Sequence, residues 1–104
     1  MRPRVLEEAE DELLEAMFYY EDRREGLGTD FFEAVTETMC KIGATPLRFP
    51  IYEGQSLNRE FRRAQVARFP YVIVYEVREN DPFVVAVAHT SREPGYWKHR
   101  AAES

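Results

Sequence analysis

The feature that most constrains the fold is an uninterrupted run of β-forming residues at positions 71–77, Tyr-Val-Ile-Val-Tyr-Glu-Val. Val, Ile and Tyr suit a pleated surface and have little preference for a helix. Alternation along a strand places Tyr71, Ile73, Tyr75 and Val77 on one face, and Val72 and Val74 on the other. Because both faces are apolar, the strand is predicted to be central in its sheet. Pro70 cannot donate to a β-ladder, so it is predicted to precede the strand.

Two amphipathic helices are predicted ahead of this strand, at about residues 7–24 and 30–42. Apolar residues recur at spacings of three and four in each helix, and Gly26 and Gly28 separate the two. Thr29 or Asp30 is predicted to cap the second helix, and Gly43 to stop it. So short a link predicts an antiparallel helical hairpin over about residues 7–43.

Two more strands are predicted around the central one, at residues 59–69 and 83–90, joined by tight turns into a meander. The smaller residues of the last strand, Val84, Ala86 and Ala88, are expected to face the helical hairpin. The predicted fold is therefore α+β: an N-terminal αα-hairpin packed on a three- to four-stranded antiparallel sheet. A single domain is expected over residues 1–104, with the sheet at about 59–90 and a C-terminal tail at 91–104.

The charge of the chain is unevenly distributed, which narrows the classes of partner. Residues 1–58 carry 6 Lys/Arg and 13 Asp/Glu, whereas residues 59–104 carry 8 and 6. This balance disfavours nonspecific nucleic-acid binding by the whole surface, but it leaves one local basic face in the second half. Cys40 is the only cysteine, and no segment resembles a signal peptide or a membrane span. A cytoplasmic location is expected.

The residues that could carry chemistry gather near the predicted sheet and tail, with arginines for charge and His89 or Tyr96 for proton transfer. No phosphate-binding loop, zinc spacing or cofactor motif is present, so neither a metal nor a cofactor is expected. Each candidate also has a structural interpretation: the arginines as a solvated face, His89 as a hydrogen-bonded residue at a strand end, and Tyr96 and Trp97 as anchors of the tail. Leu14, Phe18 and Tyr19 either complete the core or form a groove for a partner.

The order and spacing of several motifs resemble the RelE/ParE toxin family. The hairpin contributes Glu-Ala-Glu-Asp-Glu-Leu at positions 8–13, Tyr-Tyr-Glu at 19–21 and Gly-Leu-Gly at 26–28. The sheet and tail contribute Arg-Phe-Pro-Tyr-Val-Ile-Val-Tyr at 68–75, Val-Ala-Val-Ala-His at 85–89, and then Arg92, Pro94, Gly95, Tyr96 and Trp97. Family members usually begin with an edge strand, and only residues 1–5 are available for it here, so that strand is expected to be short or missing.

The resemblance implies the toxin of a bacterial type II toxin–antitoxin pair, with a small antitoxin as partner. ParE-like members bind and poison DNA gyrase, whereas RelE-like members cut messenger RNA on the ribosome. Valine at position 72, where RelE-like nucleases tend to carry a basic residue, and the acidic overall charge favour the ParE-like alternative, in which the chain is not an enzyme. An inactive or repurposed protein-binding module of the same fold is a third alternative.

The resemblance also implies site residues for each alternative. If the chain is RelE-like, the catalytic candidates are Arg63, Arg68, His89, Arg92 and Tyr96. Partner contacts are assigned to Phe18, Tyr19, Arg62 and Trp97.

Overall fold

The computed structural model describes residues 3–52 and 59–103. The elements in chain order are β1 (Arg4–Val5), α1 (Glu7–Arg23), α2 (Leu27–Ala44), β2 (Phe61–Gln65), β3 (Tyr71–Arg78), β4 (Asp81–His89) and α3 (Lys98–Glu103). The α+β class and the helical hairpin on a sheet are as predicted. Part of the predicted irregular connection before β2, residues 53–58, lies outside the described residues.

The sheet has the order β1-β4-β3-β2, which places β3 between two partners as its two apolar faces predicted. β3 begins at Tyr71, directly after Pro70. The pairs β2–β3 and β3–β4 are antiparallel, but β1 runs parallel to β4, so the sheet is mixed rather than wholly antiparallel. The edge strand expected to be short or missing does form, with only two residues. Its ladder ends where the Leu6 amide donates to the Val84 carbonyl at 2.9 Å.

The helical hairpin covers one face of the sheet and the C-terminal tail covers the other. The first core cluster joins both helices to the central strand. It includes Ala9 and Ala16 of α1, Phe31, Val35 and Ile42 of α2, and Ile73 and Tyr75 of β3. Apolar burial of this kind is the main source of folding free energy in a small domain. Of the two candidates for the α2 core position, Phe31 is buried and Phe32 is exposed.

The second core cluster lies under the tail and contains Phe61, Val74, Val85, Ala86 and Trp97. The expectation that Val84, Ala86 and Ala88 share the hairpin face is wrong. Val74 pairs with Ala86 while Tyr75 pairs with Val84, so Val85 is an extra residue in the ladder. Such a bulge interrupts the alternation of side chains. Val84 and Val87 therefore pack with the hairpin, and Ala86 packs with the tail.

The junction between the two helices is set by Gly26, Gly28 and a carboxylate from the end of α1. The predicted cap at Thr29 or Asp30 is wrong, because α2 already begins at Leu27, with Gly26 as N-cap at a φ of 87°. The Glu21 carboxylate accepts from the amides of Gly26 at 2.9 Å and Gly28 at 3.0 Å. These bonds satisfy amides that a helix N-terminus leaves without an intrahelical partner.

Gly28 permits the close approach of the helices. A Cβ at this position would lie 2.6 Å from the backbone oxygen of Met17. We expect Gly28→Ala to lower the free energy of unfolding by about 1–3 kcal/mol, because the helices must separate to admit the methyl group. Urea denaturation followed by circular dichroism measures the change.

A matched control is Gly26→Asn, since a Cβ at Gly26 meets nothing within 4 Å. Asn tolerates the left-handed backbone conformation there, so this variant should stay within about 0.5 kcal/mol of wild type. Equal stability of Gly28→Ala and wild type would contradict the close approach.

Candidate functional site

A cavity of about 170 Å³ lies between the tail and the sheet, on the face opposite the hairpin. Its lining includes Arg63, His89, Arg92 and Tyr96, so the structure brings together four of the five residues proposed for a RelE-like site. Arg68 does not line this cavity. It occupies the turn between β2 and β3, exposed and with a φ of 69°.

The cluster beside this cavity is centred on Glu12 of α1, a residue that the sequence analysis did not single out. Its carboxylate accepts a short hydrogen bond from the Tyr96 hydroxyl. Arg100 of α3 donates to both carboxylate oxygens, at 2.8 and 3.3 Å, and an Arg92 nitrogen lies 3.4 Å away. The side chains of Glu12 and Arg100 are only 11% and 10% exposed. A largely buried carboxylate therefore joins the first helix to three residues of the tail.

β1 is too short to pair with the whole edge of β4, and Glu12 and Arg100 form hydrogen bonds with backbone groups that it leaves unpaired. The Val87 amide donates to Glu12 at 3.0 Å, and the Val85 carbonyl accepts from Arg100 at 3.3 Å. Unpaired backbone groups at a buried position cost free energy comparable to a lost hydrogen bond. The two-residue β1 thus explains why an ion pair lies at this place in the fold.

A signal for Glu12 does exist in the sequence. It follows Ala9 by three residues and precedes Ala16 by four, and both alanines are buried. These spacings place Glu12 on the buried side of α1. A carboxylate on the apolar stripe of a helix indicates a buried ion pair, although the sequence does not reveal which cation meets it.

The environment of Tyr96 keeps its hydroxyl protonated. Burial, the hydrogen bond to Glu12 and the charge of Glu12 raise the pKa of Tyr96 above its ordinary value of 10.0. The Arg92 guanidinium lies over the ring, 3.8 Å from its centroid. For Arg100, burial opposes the charged form, but the hydrogen bond and charge of Glu12 outweigh it and raise the pKa. Tyr96 is therefore a hydrogen-bond donor at neutral pH and a poor general base.

His89 and Arg63 line the same cavity, but His89 is held by a hydrogen bond and a ring contact whereas Arg63 is exposed. The Ser91 amide donates to His89 Nδ1 at 3.0 Å, so Nδ1 is an acceptor and a neutral ring carries its proton on Nε2. The ring packs edge-on against Tyr71, with centroids 5.1 Å apart. Arg63 is exposed, and its guanidinium lies 5.9 Å from the centroid of the Tyr52 ring.

The four residues assigned to partner contacts divide into two groups. Phe18 and Tyr19 are on the surface of α1, 69% and 53% exposed. Arg62 instead pairs with Glu60 at 2.5 Å and donates to the Phe49 carbonyl at 2.6 Å, which fixes the loop before β2. Trp97 is 1% exposed and packs against Phe61 with ring centroids 4.8 Å apart, so its ring offers no surface to a partner in this conformation.

Within the described residues, no helix has the length and apolar character needed to cross a membrane.

Comparison with known proteins identifies one family. A family model described as "ParE toxin of type II toxin-antitoxin system, parDE" matches residues 4–94, which is most of the chain. The match runs from β1 through β4 and ends in the tail. A search of curated protein sequences gives no significant match.

The buried ion pair predicts a large effect of neutralising Glu12. Glu12→Gln should lower the free energy of unfolding by about 3–5 kcal/mol, because it leaves the Arg100 charge buried without its counter-ion. Glu15→Gln makes the same change at an exposed position on the same helix, and should stay within about 0.5 kcal/mol of wild type.

A double-mutant cycle separates the pair from the rest of the cluster. Arg100→Gln combined with Glu12→Gln should cost less than the sum of the two single changes, by at least about 1 kcal/mol. Strict additivity in urea denaturation would show that the two residues do not stabilise each other.

The raised pKa of Tyr96 predicts a particular dependence on pH. Below pH 10 the hydroxyl is protonated in both the folded and unfolded states, so its stabilisation is fully present. As the pH rises further, the unfolded chain loses this proton first, so the stabilisation declines and is lost as the pH passes the folded-state pKa.

Tyr96→Phe should therefore be about 1.5 kcal/mol less stable than wild type at pH 8, and this difference should shrink at pH 11. Urea denaturation at the two pH values measures it. Tyr19→Phe is the control, because an exposed ring should show the same small difference at both. A Tyr96→Phe deficit that is constant from pH 8 to 11 would contradict the bond to Glu12.

Proposed function

Because this chain belongs to the ParE family of toxins from type II toxin–antitoxin systems, we propose that it acts by binding DNA gyrase rather than by cutting messenger RNA. The family match confirms the predicted RelE/ParE resemblance, and the family implies a cognate antitoxin as partner. The choice of gyrase is the proposal, and the cytoplasm, where gyrase meets bacterial DNA, is its proposed place of action.

The observation that carries the proposal is that Glu12 accepts a hydrogen bond from Tyr96 and forms an ion pair with Arg92. A ribonuclease of this fold needs a group that accepts the proton of the attacking 2′-hydroxyl. The Tyr96 hydroxyl donates a hydrogen bond to Glu12, and the raised pKa of Tyr96 keeps this hydroxyl protonated at neutral pH. Arg92 lies over the Tyr96 ring and pairs with the Glu12 carboxylate. These contacts support an anchoring role for both residues.

The charge of the cavity supports the same conclusion. Arg63 and Arg92 line it together with Glu93, and the Glu12 carboxylate lies directly behind Tyr96. The Glu12 charge is already paired with Arg100, so the lining itself carries two guanidinium groups against one carboxylate. RNA binding depends on an excess of positive charge that replaces the counter-ions of the phosphates, and an excess of one charge is small for that purpose. Val72, which also lines it, adds no charge.

One observation favours the RelE-like alternative and keeps it as the second candidate. Arg63, His89, Arg92 and Tyr96 do border a single cavity. In this alternative Tyr96 or His89 would move a proton, and the arginines would stabilise the phosphate in the transition state.

The two candidates predict different outcomes for the purified chain. We expect it to inhibit supercoiling by gyrase in the presence of ATP, and to leave ribosome-bound messenger RNA intact in primer extension. Arg63→Ala is the informative variant, because Arg63 is exposed and its loss leaves the Glu12 cluster untouched. Gyrase inhibition by Arg63→Ala should remain within about threefold of wild type, because most single contacts in a protein–protein interface contribute little to the affinity.

Ribosome-dependent cleavage that falls by about a hundredfold or more in Arg63→Ala would overturn the gyrase proposal and establish the cavity as a nuclease site. A folded chain that affects neither gyrase nor ribosomes would also overturn it, and would favour a repurposed binding module. Circular dichroism of each variant verifies that the fold is retained.

A further inference from the structure

The loop between α2 and β2 exposes apolar side chains that neither the hairpin nor the sheet covers. Leu47 is 54% exposed and Ile51 is 53% exposed, and neither belongs to either core cluster. Within the described residues, the other large apolar side chains that are exposed lie on α1 and α2. We call residues 46–51 the α2–β2 loop. Its two exposed apolar residues are four positions apart, so their Cα atoms are at most about 14 Å from each other.

The backbone of the α2–β2 loop is held from behind by two side chains of the sheet. The Tyr75 hydroxyl donates to the Pro46 carbonyl at 2.5 Å. Arg62 donates to the carbonyls of Leu47 at 3.2 Å and Phe49 at 2.6 Å. These bonds give the loop a fixed form before any partner arrives. A surface that is ordered in advance loses less conformational entropy when it binds.

The same loop is also joined to the edge of the sheet. Ile51 forms an isolated β-bridge with Arg62, and the Arg63 amide donates to the Pro50 carbonyl at 3.1 Å. Phe49 is partly buried and packs against the first core cluster, whereas the side chains two positions before and after it are exposed. The backbone contacts thus determine which side chains of the loop face solvent.

A hollow of about 410 Å³ adjoins the α2–β2 loop. Its lining includes Phe49 and Pro50 of the loop and Val72 of the central strand. Of the described residues that line it, Arg63 is the one with a charge. Exposed aliphatic residues beside a partly apolar hollow are typical of a protein–protein interface, in which a few central contacts supply most of the binding free energy.

The charge beside the exposed pair is positive. Arg48 lies between Leu47 and Ile51 in the chain, is exposed, and forms no ion pair with another described residue. The Glu60 carboxylate does not offset it, because it is already paired with Arg62 at 2.5 Å. The chain as a whole has a net charge of −5, so this loop is a local exception.

These features disfavour several occupants of the loop. A second copy of the chain would bring two Arg48 side chains together in a symmetric contact, and like charges brought together cost free energy. A small antitoxin that covers a chain of net charge −5 is favoured by positive charge of its own, which Arg48 would repel. Nucleic acid binds mainly through several cations on its phosphates, and it would leave the aliphatic pair without an apolar partner. The partner that suits the loop is a protein segment that combines apolar residues with a carboxylate.

We propose that Leu47, Arg48 and Ile51 contact DNA gyrase, through an apolar segment of that enzyme that carries Asp or Glu. The inference rests on the proposed function and adds the surface that gyrase binding requires. This surface lies outside the cavity under the tail and outside the helical hairpin. Arg63 adds positive charge beside the hollow but is not one of the three contact residues, in keeping with the small effect expected of Arg63→Ala.

Binding of the full chain to purified bacterial gyrase, measured by biolayer interferometry, tests the apolar contacts. Leu47→Ser and Ile51→Ser should each weaken the affinity by about tenfold, as the loss of a central apolar contact does. Both variants keep the backbone carbonyls that Tyr75 and Arg62 hold, so circular dichroism should show an unchanged fold. Phe32→Ser, a similar change at an exposed apolar residue of α2, is the control and should stay within about twofold of wild type.

Arg48→Glu tests the charge separately. It should weaken gyrase binding by about tenfold or more, and the affinity of the wild-type chain should fall as salt screens the attraction. Arg24→Glu makes the same change of sign at an exposed position after α1, and as the control it should have little effect. Inhibition of supercoiling should decline in parallel with the affinity of each variant.

The outcomes separate this proposal from the choice of gyrase. Gyrase binding that survives all three changes would overturn the loop contact alone, whereas a wild-type chain that does not bind gyrase would overturn both. Unchanged gyrase binding together with one further result would also reassign the loop. That result is loss of neutralisation by co-expressed antitoxin, dissociation of a dimer by Ile51→Ser, or loss of binding to a DNA duplex in Arg48→Glu, and it would assign the loop to the antitoxin, a second copy or nucleic acid respectively.

Discussion

The structure depends on one carboxylate, that of Glu12, which connects the three layers of the fold. It belongs to the helical hairpin, accepts an amide of the sheet at Val87, and holds the tail through Tyr96 and Arg100. An ion pair this buried does little for stability when compared with an apolar core of the same volume, yet the loss of either member is costly. Its contribution is therefore one of geometry: it fixes where the tail lies on the sheet.

The sequence predicted those parts of the fold that follow from local pattern. The run at residues 71–77, apolar on both faces, identified the central strand, and the spacing of three and four identified both helices. The wrong expectations each involve a contact with a different element of the fold. The side chains of β4 change faces because one residue, Val85, is extra in its pairing with β3, and no property of Val85 itself indicates this. The start of α2 is set by Glu21 rather than by a cap of its own.

The sequence predicted most of the residues that border the candidate site, but not what they do there. Four of the five residues proposed for RNA cleavage do border one cavity. His89, Arg92 and Tyr96 meet there because the last strand and the tail follow one another in the chain, and Arg63 joins them because β2 pairs with β3. What Arg92 and Tyr96 do there depends on Glu12, which lies 80 and 84 residues earlier in the chain and reaches them only through the fold. A resemblance between motifs predicts where side chains lie. It does not predict their protonation or charge balance, because these depend on neighbouring residues outside the motifs.

The two-residue β1 has a further consequence for the chain on its own. An uncovered strand edge is a template on which another chain can add a strand, and natural proteins protect such edges from aggregation. Here the N–H of Val87 and the carbonyl of Val85 are occupied by charged side chains instead of by a neighbouring strand. An incoming strand would have to displace a buried ion pair before it could bond to these two groups. The same contacts that anchor the tail thus guard this part of the sheet against edge-to-edge association.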